Sequence, residues 1–232
     1  MRSALITFAA VAAVGIAGCS GSRSLLPNSS SAGITPQTLR GWQASQRGGT
    51  VVKLANQPPT SMQLEWLMTD GSILAQSGSN WNNFYRYVPD SKGNYASGTW
   101  TQVGSLQSGY GPDASASDVL ADGRFVIAGG EYNSPGNGYQ LQLTNLAAVY
   151  DPVKMKFIAL GHPKGWGWIG DSPSTVLPNG NLFLGQKLTN KDAALIPKTL
   201  KWKKMRDTGK ADFNAEEGYT LLPDGTILTA DV

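Results

Sequence analysis

Chemistry in this chain must be built almost without histidine and cysteine. The 232 residues contain one of each, His162 and Cys19. Metal centres made from imidazole and thiolate need several such ligands, so copper and zinc sites of that kind are excluded by ligand count. A Ser-His-Asp triad would have to use His162, but Gly161-His162-Pro163 carries no nucleophile motif, and His162 reads as an exposed loop residue. Carboxylates remain. Asp113, Glu131, Asp171, Asp212, Glu216 and Glu217 lie in segments that read as loops or strand starts, and two carboxyl groups at suitable separation can act as acid and base on a glycosidic bond. Adjacent Glu216 and Glu217 would point to opposite faces of an extended segment. No Asp-x-Asp-x-Asp-Gly loop marks a calcium site. These carboxylates are expected to satisfy backbone amides or solvent. No catalytic residue, cofactor or metal is assigned, and the chain is expected not to be an enzyme.

Aromatic residues give the stronger binding signal. Trp81 stands beside Asn80, Asn82 and Asn83, Trp166 and Trp168 share a Gly-rich stretch, and Tyr110 and Tyr132 lie in similar segments. Flat apolar rings with amide or carboxylate neighbours suit sugar rings. The candidate binding residues are therefore Trp81, Tyr110, Tyr132, Trp166, Trp168, Asp171 and Glu216. Basic residues gather between Lys198 and Lys210, around Trp202, in a chain whose net charge is only +3. Nucleic-acid binding wants a basic face with stacking platforms. A single short cluster on an outer strand reads instead as a solvated, Lys-protected edge, so no nucleic-acid partner is expected.

The N-terminus reads as an export signal. Met1-Arg2 precedes the uncharged, mostly apolar run Ala4 to Ile16, which is short for a membrane span but suits a signal-peptide core. It ends in Ile16-Ala17-Gly18-Cys19, which resembles the lipobox of bacterial lipoproteins. The resemblance implies diacylglycerol on Cys19, membrane attachment through that lipid and, with Ser20 following, sorting to the outer membrane of the envelope, facing the periplasm or the surface. The domain reading is 1–18 signal peptide, 19–47 lipidated Cys and Ser-rich tether, and 48–232 partial propeller.

The elements that would position the candidate residues follow from an internal repeat. Leu67-Met68-Thr69-Asp70-Gly71-Ser72-Ile73-Leu74 has counterparts at Val119 to Val126, Val176 to Phe183 and Leu221 to Leu228, with turn glycines Gly71, Gly123, Gly180 and Gly225. The period is about 50 residues, as kelch blades require. Each Asp-Gly or Asn-Gly pair predicts a hairpin between apolar strands. A third strand then ends at proline (Pro89, Pro152, Pro197), which cannot donate to a ladder, and an aromatic (Trp100, Phe157, Trp202) opens a fourth. Glycine and proline interrupt every stretch from Gly49 onward, and no helical period is sustained.

Leu120-Ala121-Asp122-Gly123-Arg124-Phe125-Val126-Ile127-Ala128-Gly129-Gly130 and Ala148-Val149-Tyr150-Asp151-Pro152 resemble the bacterial kelch-repeat proteins, which share the galactose-oxidase-type β-propeller. The stretches around Gly98-Thr99-Trp100, Gly170-Asp171 and Lys210 to Gly218 resemble an extracellular subgroup of them. The double glycine departs from the pattern elsewhere, as Ser77-Gly78, Gly185-Gln186 and Ala230-Asp231. The resemblance raises copper chemistry, for which the chain lacks the imidazoles. The expected fold is all-β: a kelch-like β-propeller, incomplete, with about three and a half four-stranded blades and an N-terminal closing strand over Thr50 to Leu54. Propellers hold about four to eight blades, so the chain is expected to be a fragment. The expected function is an envelope-anchored binding or scaffold module for glycan or protein partners. The alternative is an extracellular carbohydrate-active enzyme that uses loop carboxylates and needs the missing blades.

Overall fold

The structure, a computed structural model, describes residues 51–133, 139–206 and 209–230. Cys19, the signal segment, the tether and Thr50 lie outside the described residues. Every described strand belongs to the compact unit Val52–Val232.

Strands β1 (Met62–Leu67), β2 (Ile73–Ser77), β3 (Phe84–Val88) and β4 (Thr99–Gln102) form an antiparallel sheet in sequence order. A short pair, β5 (Pro112–Asp113) with β8 (Tyr132–Asn133), flanks the second sheet. That sheet comprises β6 (Ala116–Val119), β7 (Phe125–Ala128), β9 (Ala147–Asp151) and β10 (Lys156–Leu160). The third contains β11 (Ser174–Val176), β12 (Leu182–Gly185), β13 (Asp192–Ile196) and β14 (Lys201–Lys204), and a final hairpin joins β15 (Thr220–Leu221) to β16 (Ile227–Leu228). Among the described residues there is no α-helix, so none long and apolar enough to cross a membrane.

The repeated turns form for the reason their sequence implies. Gly71, Gly123, Gly180 and Gly225 all adopt φ between 79° and 86°. In each, the glycine N–H donates to the carbonyl three residues back, as from Gly71 to Met68 at 3.0 Å and from Gly123 to Leu120 at 2.9 Å. This is the three-residue hairpin loop in which a left-handed glycine ends a tight turn. The preceding Asp or Asn accepts the N–H two residues on, as Asp70 does from Ser72 at 2.9 Å. The third strands β3, β9 and β13 stop immediately before Pro89, Pro152 and Pro197.

Middle strands are apolar without alternation because both faces are covered. Every residue of β7 and β12 is buried. The first and second sheets share a core in which Phe84 and Phe157 rings lie 4.7 Å apart and Trp66 and Phe125 rings 4.5 Å apart. Val126 and Val149 of the second sheet pack with Leu182 and Leu195 of the third. Covering these side chains stabilises by roughly 1.5–3 kcal/mol for each large residue fully buried.

The expected closing strand is a correction. Residues 51–54 form no strand; Val51 is fully exposed and Val52 is 60% exposed. A strand requires a partner, and these residues pair with no described strand. The chain first engages at Ala55, whose N–H donates to the Ala96 carbonyl at 2.7 Å.

Polar links run between the innermost strands. Trp66 Nε1 donates to Ser117 Oγ at 3.1 Å, and Ser174 Oγ donates to the Asp118 carboxylate. Burial pushes the Asp118 carboxyl up to about 6, with the Ser174 hydroxyl opposing the rise. The folded state therefore holds this proton more tightly than the unfolded chain. Its stabilising contribution is complete below the unfolded value near 3.8 and is lost as pH rises through about 6. Asp118→Asn keeps an oxygen for Ser174 and removes the buried charge. It is expected to raise stability at pH 7.5 by up to about 3 kcal/mol and to leave it unchanged at pH 3.5. Thermal melts at the two pH values check this; equal pH dependence in both proteins would count against it.

Candidate functional site

Strand direction brings loop residues of several repeats to one end of the sheets. Ala116 pairs with Ala128 and Ser174 with Leu184. The segment entering each inner strand therefore emerges beside the segment leaving the second strand. Glu131 follows β7, Asp171 precedes β11, Lys187 follows β12 and Glu216 precedes β15.

These four side chains meet. Lys187 Nζ lies 2.8 Å from Glu216 Oε1 and 3.1 Å from Glu131 Oε2, with its own side chain 7% exposed. Carboxylate oxygens of Glu131, Asp171 and Glu216 all lie within 4.8 Å of one another. The backbone fixes each member. Lys187 N–H donates to the Ile169 carbonyl and to Ser172 Oγ, both at 3.0 Å, and Glu131 N–H donates to the Ala114 carbonyl at 2.9 Å. Burial disfavours the Lys187 ammonium, but its hydrogen bonds to Glu216 and Glu131 outweigh that cost and hold its pKa above the usual value. Burial raises the Asp171 carboxyl; Lys187 opposes this, and Glu216, Glu131 and Asp113 add to it. Glu216 moves the other way, held down by its hydrogen bond to Lys187. A cation held by the three carboxylates would have to compete with the Lys187 ammonium for Glu131 and Glu216.

Two exposed rings lie in segments joined to members of this cluster. Trp168 is 37% exposed, and its Nε1 donates to the Lys187 carbonyl at 3.0 Å. On the Glu131 side, Tyr139 is 70% exposed and rests on two other rings, Trp81 at 5.3 Å and Tyr132 at 5.5 Å. Tyr139 is not among the residues that the sequence singles out. It follows a Gly-rich stretch with no periodic pattern around it, and the pairing of β5 with β8 that places Tyr132 beneath it has no local signal.

Two sequence candidates are corrected. Tyr110 is fully buried in the core between the first two sheets, and its hydroxyl donates to the Gly129 carbonyl at 2.9 Å. Trp166 is 4% exposed and packs with Ile169 and Leu184. Both rings fill gaps where connections cross between sheets, the commoner use of a large aromatic. Trp81 is also largely covered, at 9% exposed, and reaches the surface only through Tyr139. Its asparagine neighbours serve the backbone: Asn82 Nδ2 donates to the carbonyls of Leu106, Gln107 and Tyr110. Asp171 and Glu216 lie in the carboxylate cluster, Trp168 donates to the carbonyl of its lysine, and the half-buried Tyr132 packs against Tyr139. Glu217 turns away from Glu216: its Oε1 meets Lys210 at 2.7 Å, and Lys210 also meets Asp212 at 3.2 Å. That second cluster ties down the segment leading into β15.

No protein-family model matches the chain, and no curated protein matches it. Among solved structures it is similar to a fungal alcohol oxidase of the AA5 family in complex with copper. The TM-score is 0.54 at 20% identity, over 76% of this chain and 40% of that one. It is also similar to YjhT, with a TM-score of 0.51 at 13% identity, over 71% of this chain and 56% of that one. The likeness shows the fold, a kelch- or galactose-oxidase-like β fold. The chain spans well under two thirds of either structure. The copper of the AA5 oxidase has no counterpart in the residues here: His162 is exposed in its loop, and the strand-end cluster offers carboxylates and an ammonium rather than imidazoles.

Proposed function

We propose that this chain is a glycan-binding module, a kelch-like propeller of about three and a half blades that takes its ligand on the strand-end face. The observation that carries the reading is the convergence of Glu131, Asp171 and Glu216 on Lys187, whose backbone carbonyl accepts from the exposed Trp168, while a second exposed ring, Tyr139, rests on Tyr132, the residue after Glu131. A saccharide presents apolar ring faces and a periphery of hydroxyls. Trp168 and Tyr139 supply apolar faces, and the carboxylates accept hydroxyl protons without reorganising, because Lys187 already holds two of them. Held in an envelope membrane by a lipid on Cys19, such a module would recruit polysaccharide to the cell surface or periplasm.

The test is a glycan array probed with the wild-type protein, with Trp168→Ala and with Tyr139→Ala. Specific binding is expected, and each truncation should lower affinity by about tenfold, the loss typical of an aromatic contact that dominates an interface. Signals unchanged by both substitutions would overturn the assignment.

One observation favours a second reading, hydrolysis. Asp171 is shifted towards the protonated acid while Glu216 is shifted towards the anion, the divergence that separates acid from base in carboxylate pairs. Their oxygens lie within 4.8 Å of one another, close enough for both to face one glycosidic bond. Array hits that are cleaved on incubation, with cleavage but not binding lost in Glu216→Gln, would favour hydrolysis over recognition alone.

A further inference from the structure

The outer strand of the third sheet carries a charge pattern that neither the fold nor the strand-end face requires. In each sheet the fourth strand turns one aromatic inward: Trp100 in β4, Phe157 in β10 and Trp202 in β14 are all half-buried. Between these anchors the outward residues differ. Strand β4 reads Thr-Trp-Thr-Gln and β10 reads Lys-Phe-Ile-Ala-Leu, whereas β14 reads Lys-Trp-Lys-Lys. Charge is one protection for an open strand edge, but of the three outer strands only this one is lysine-rich. Lys201, Lys203 and Lys204 are exposed, as is Lys198 in the preceding turn. None of the ion pairs between described residues uses these four lysines.

The row is also held in place. Strand β14 pairs with β13 over four residues, and Trp202 Nε1 donates to the Gly161 carbonyl at 2.5 Å. Lys201 and Lys203 therefore project from the same face of a fixed strand, about 6.6 Å apart.

We propose that this edge docks on an anionic phospholipid bilayer. An open rim lined by lysine complements a flat surface of negative headgroups, where each lysine close to the surface strengthens binding. Single-stranded nucleic acid would want exposed rings interleaved with the charges, but Trp202 is half-buried and tied to Gly161. The contact does not depend on the glycan reading, because the lysines lie on the outer strand and take no part in the carboxylate cluster. With a lipid on Cys19 holding the chain at the membrane, this contact would orient the body on the surface.

The experiment is co-sedimentation of the full-length chain with vesicles of phosphatidylcholine alone or with about one third phosphatidylglycerol. The apolar run Ala4 to Ile16 adds a similar background to both, so the ratio of affinities reports charge. A preference of at least about tenfold for the anionic vesicles is expected at low salt, falling towards parity at high salt. The combined Lys201→Gln, Lys203→Gln and Lys204→Gln substitutions should abolish it, and the matching Lys→Arg substitutions should keep it. Circular dichroism is expected to show the same fold in all three proteins. Absence of preference in the wild type overturns the proposal, as does a preference the Gln variant retains. Binding of heparin without any preference for the anionic vesicles overturns it in favour of a soluble polyanion.

Discussion

Gly129→Ala is expected to lower the melting temperature by about 10 °C or more, or to leave no folded protein. Gly129 adopts φ 76°, where an L side chain costs about 1–2 kcal/mol. A methyl group added there would lie 2.4 Å from the Gly170 carbonyl oxygen and 2.6 Å from Ile169 Cγ2. The oxygen cannot retreat freely, because it accepts the Gly130 N–H at 2.9 Å. Gly129 itself donates to the Leu146 carbonyl at 2.8 Å and accepts from the Tyr110 hydroxyl at 2.9 Å. Relieving the clash means parting the segment after β7 from the segment before β11, and so the backbone hydrogen bond between them, so a penalty of roughly 4 kcal/mol or more is expected. For a body of this size, that corresponds to about 10 °C. Gly161→Ala is the control, since a Cβ there meets nothing within 4 Å. A melting curve for Gly129→Ala as close to wild type as that of Gly161→Ala would refute this account of the seam.

Lys187→Met should cost roughly 3 kcal/mol near neutral pH, the loss typical of removing one partner from a buried ion pair. Methionine keeps the buried stem, so the change isolates the charge. Without the ammonium, Glu131, Asp171 and Glu216 face one another within 4.8 Å. Glu216 loses the hydrogen bond that holds its carboxyl down, and Asp171 loses the one neighbour that opposes its rise. Both groups then bind protons more tightly folded than unfolded, so the deficit grows as pH rises through their raised values and shrinks on acidification. Denaturant titrations of wild type and variant at pH 4 and pH 7.5 measure this. A deficit independent of pH would mean that Lys187 contributes packing rather than charge.

Much of the fold is legible in the sequence because its signals are local. A left-handed glycine, an Asp or Asn cap, a proline that ends a ladder and an aromatic on the outer strand each act within a few residues. The three four-stranded sheets stand where those signals place them. Residues 51–54 fail as a strand because pairing is not local: their sequence resembles an outer strand, but they pair with no described strand. The aromatic candidates fail in part for a related reason. Tyr110 and Trp166 lie in glycine-rich connections that read as open loops, and only the crossing of those connections between sheets buries them.

Lys187 does carry a signal in the sequence, though a faint one. Lys187 stands directly after Gly185-Gln186, where the third repeat departs from the double glycine of the second. That departure puts a cation at the end of β12, and Glu131, Asp171 and Glu216 then acquire a common partner. Their convergence is hidden because it joins three repeats, and no spacing within one repeat encodes it.

The central claim is that the strand-end face binds a glycan, and calorimetric titration of the best array ligand tests it most directly. The paired substitution Trp168→Ala with Tyr139→Ala should weaken binding by about a hundredfold if the two contacts act independently. The Lys201, Lys203 and Lys204 glutamine variant, altered only on the outer edge, should bind like wild type. Full affinity in the aromatic pair, or loss of affinity in the outer-edge variant alone, would contradict the claim.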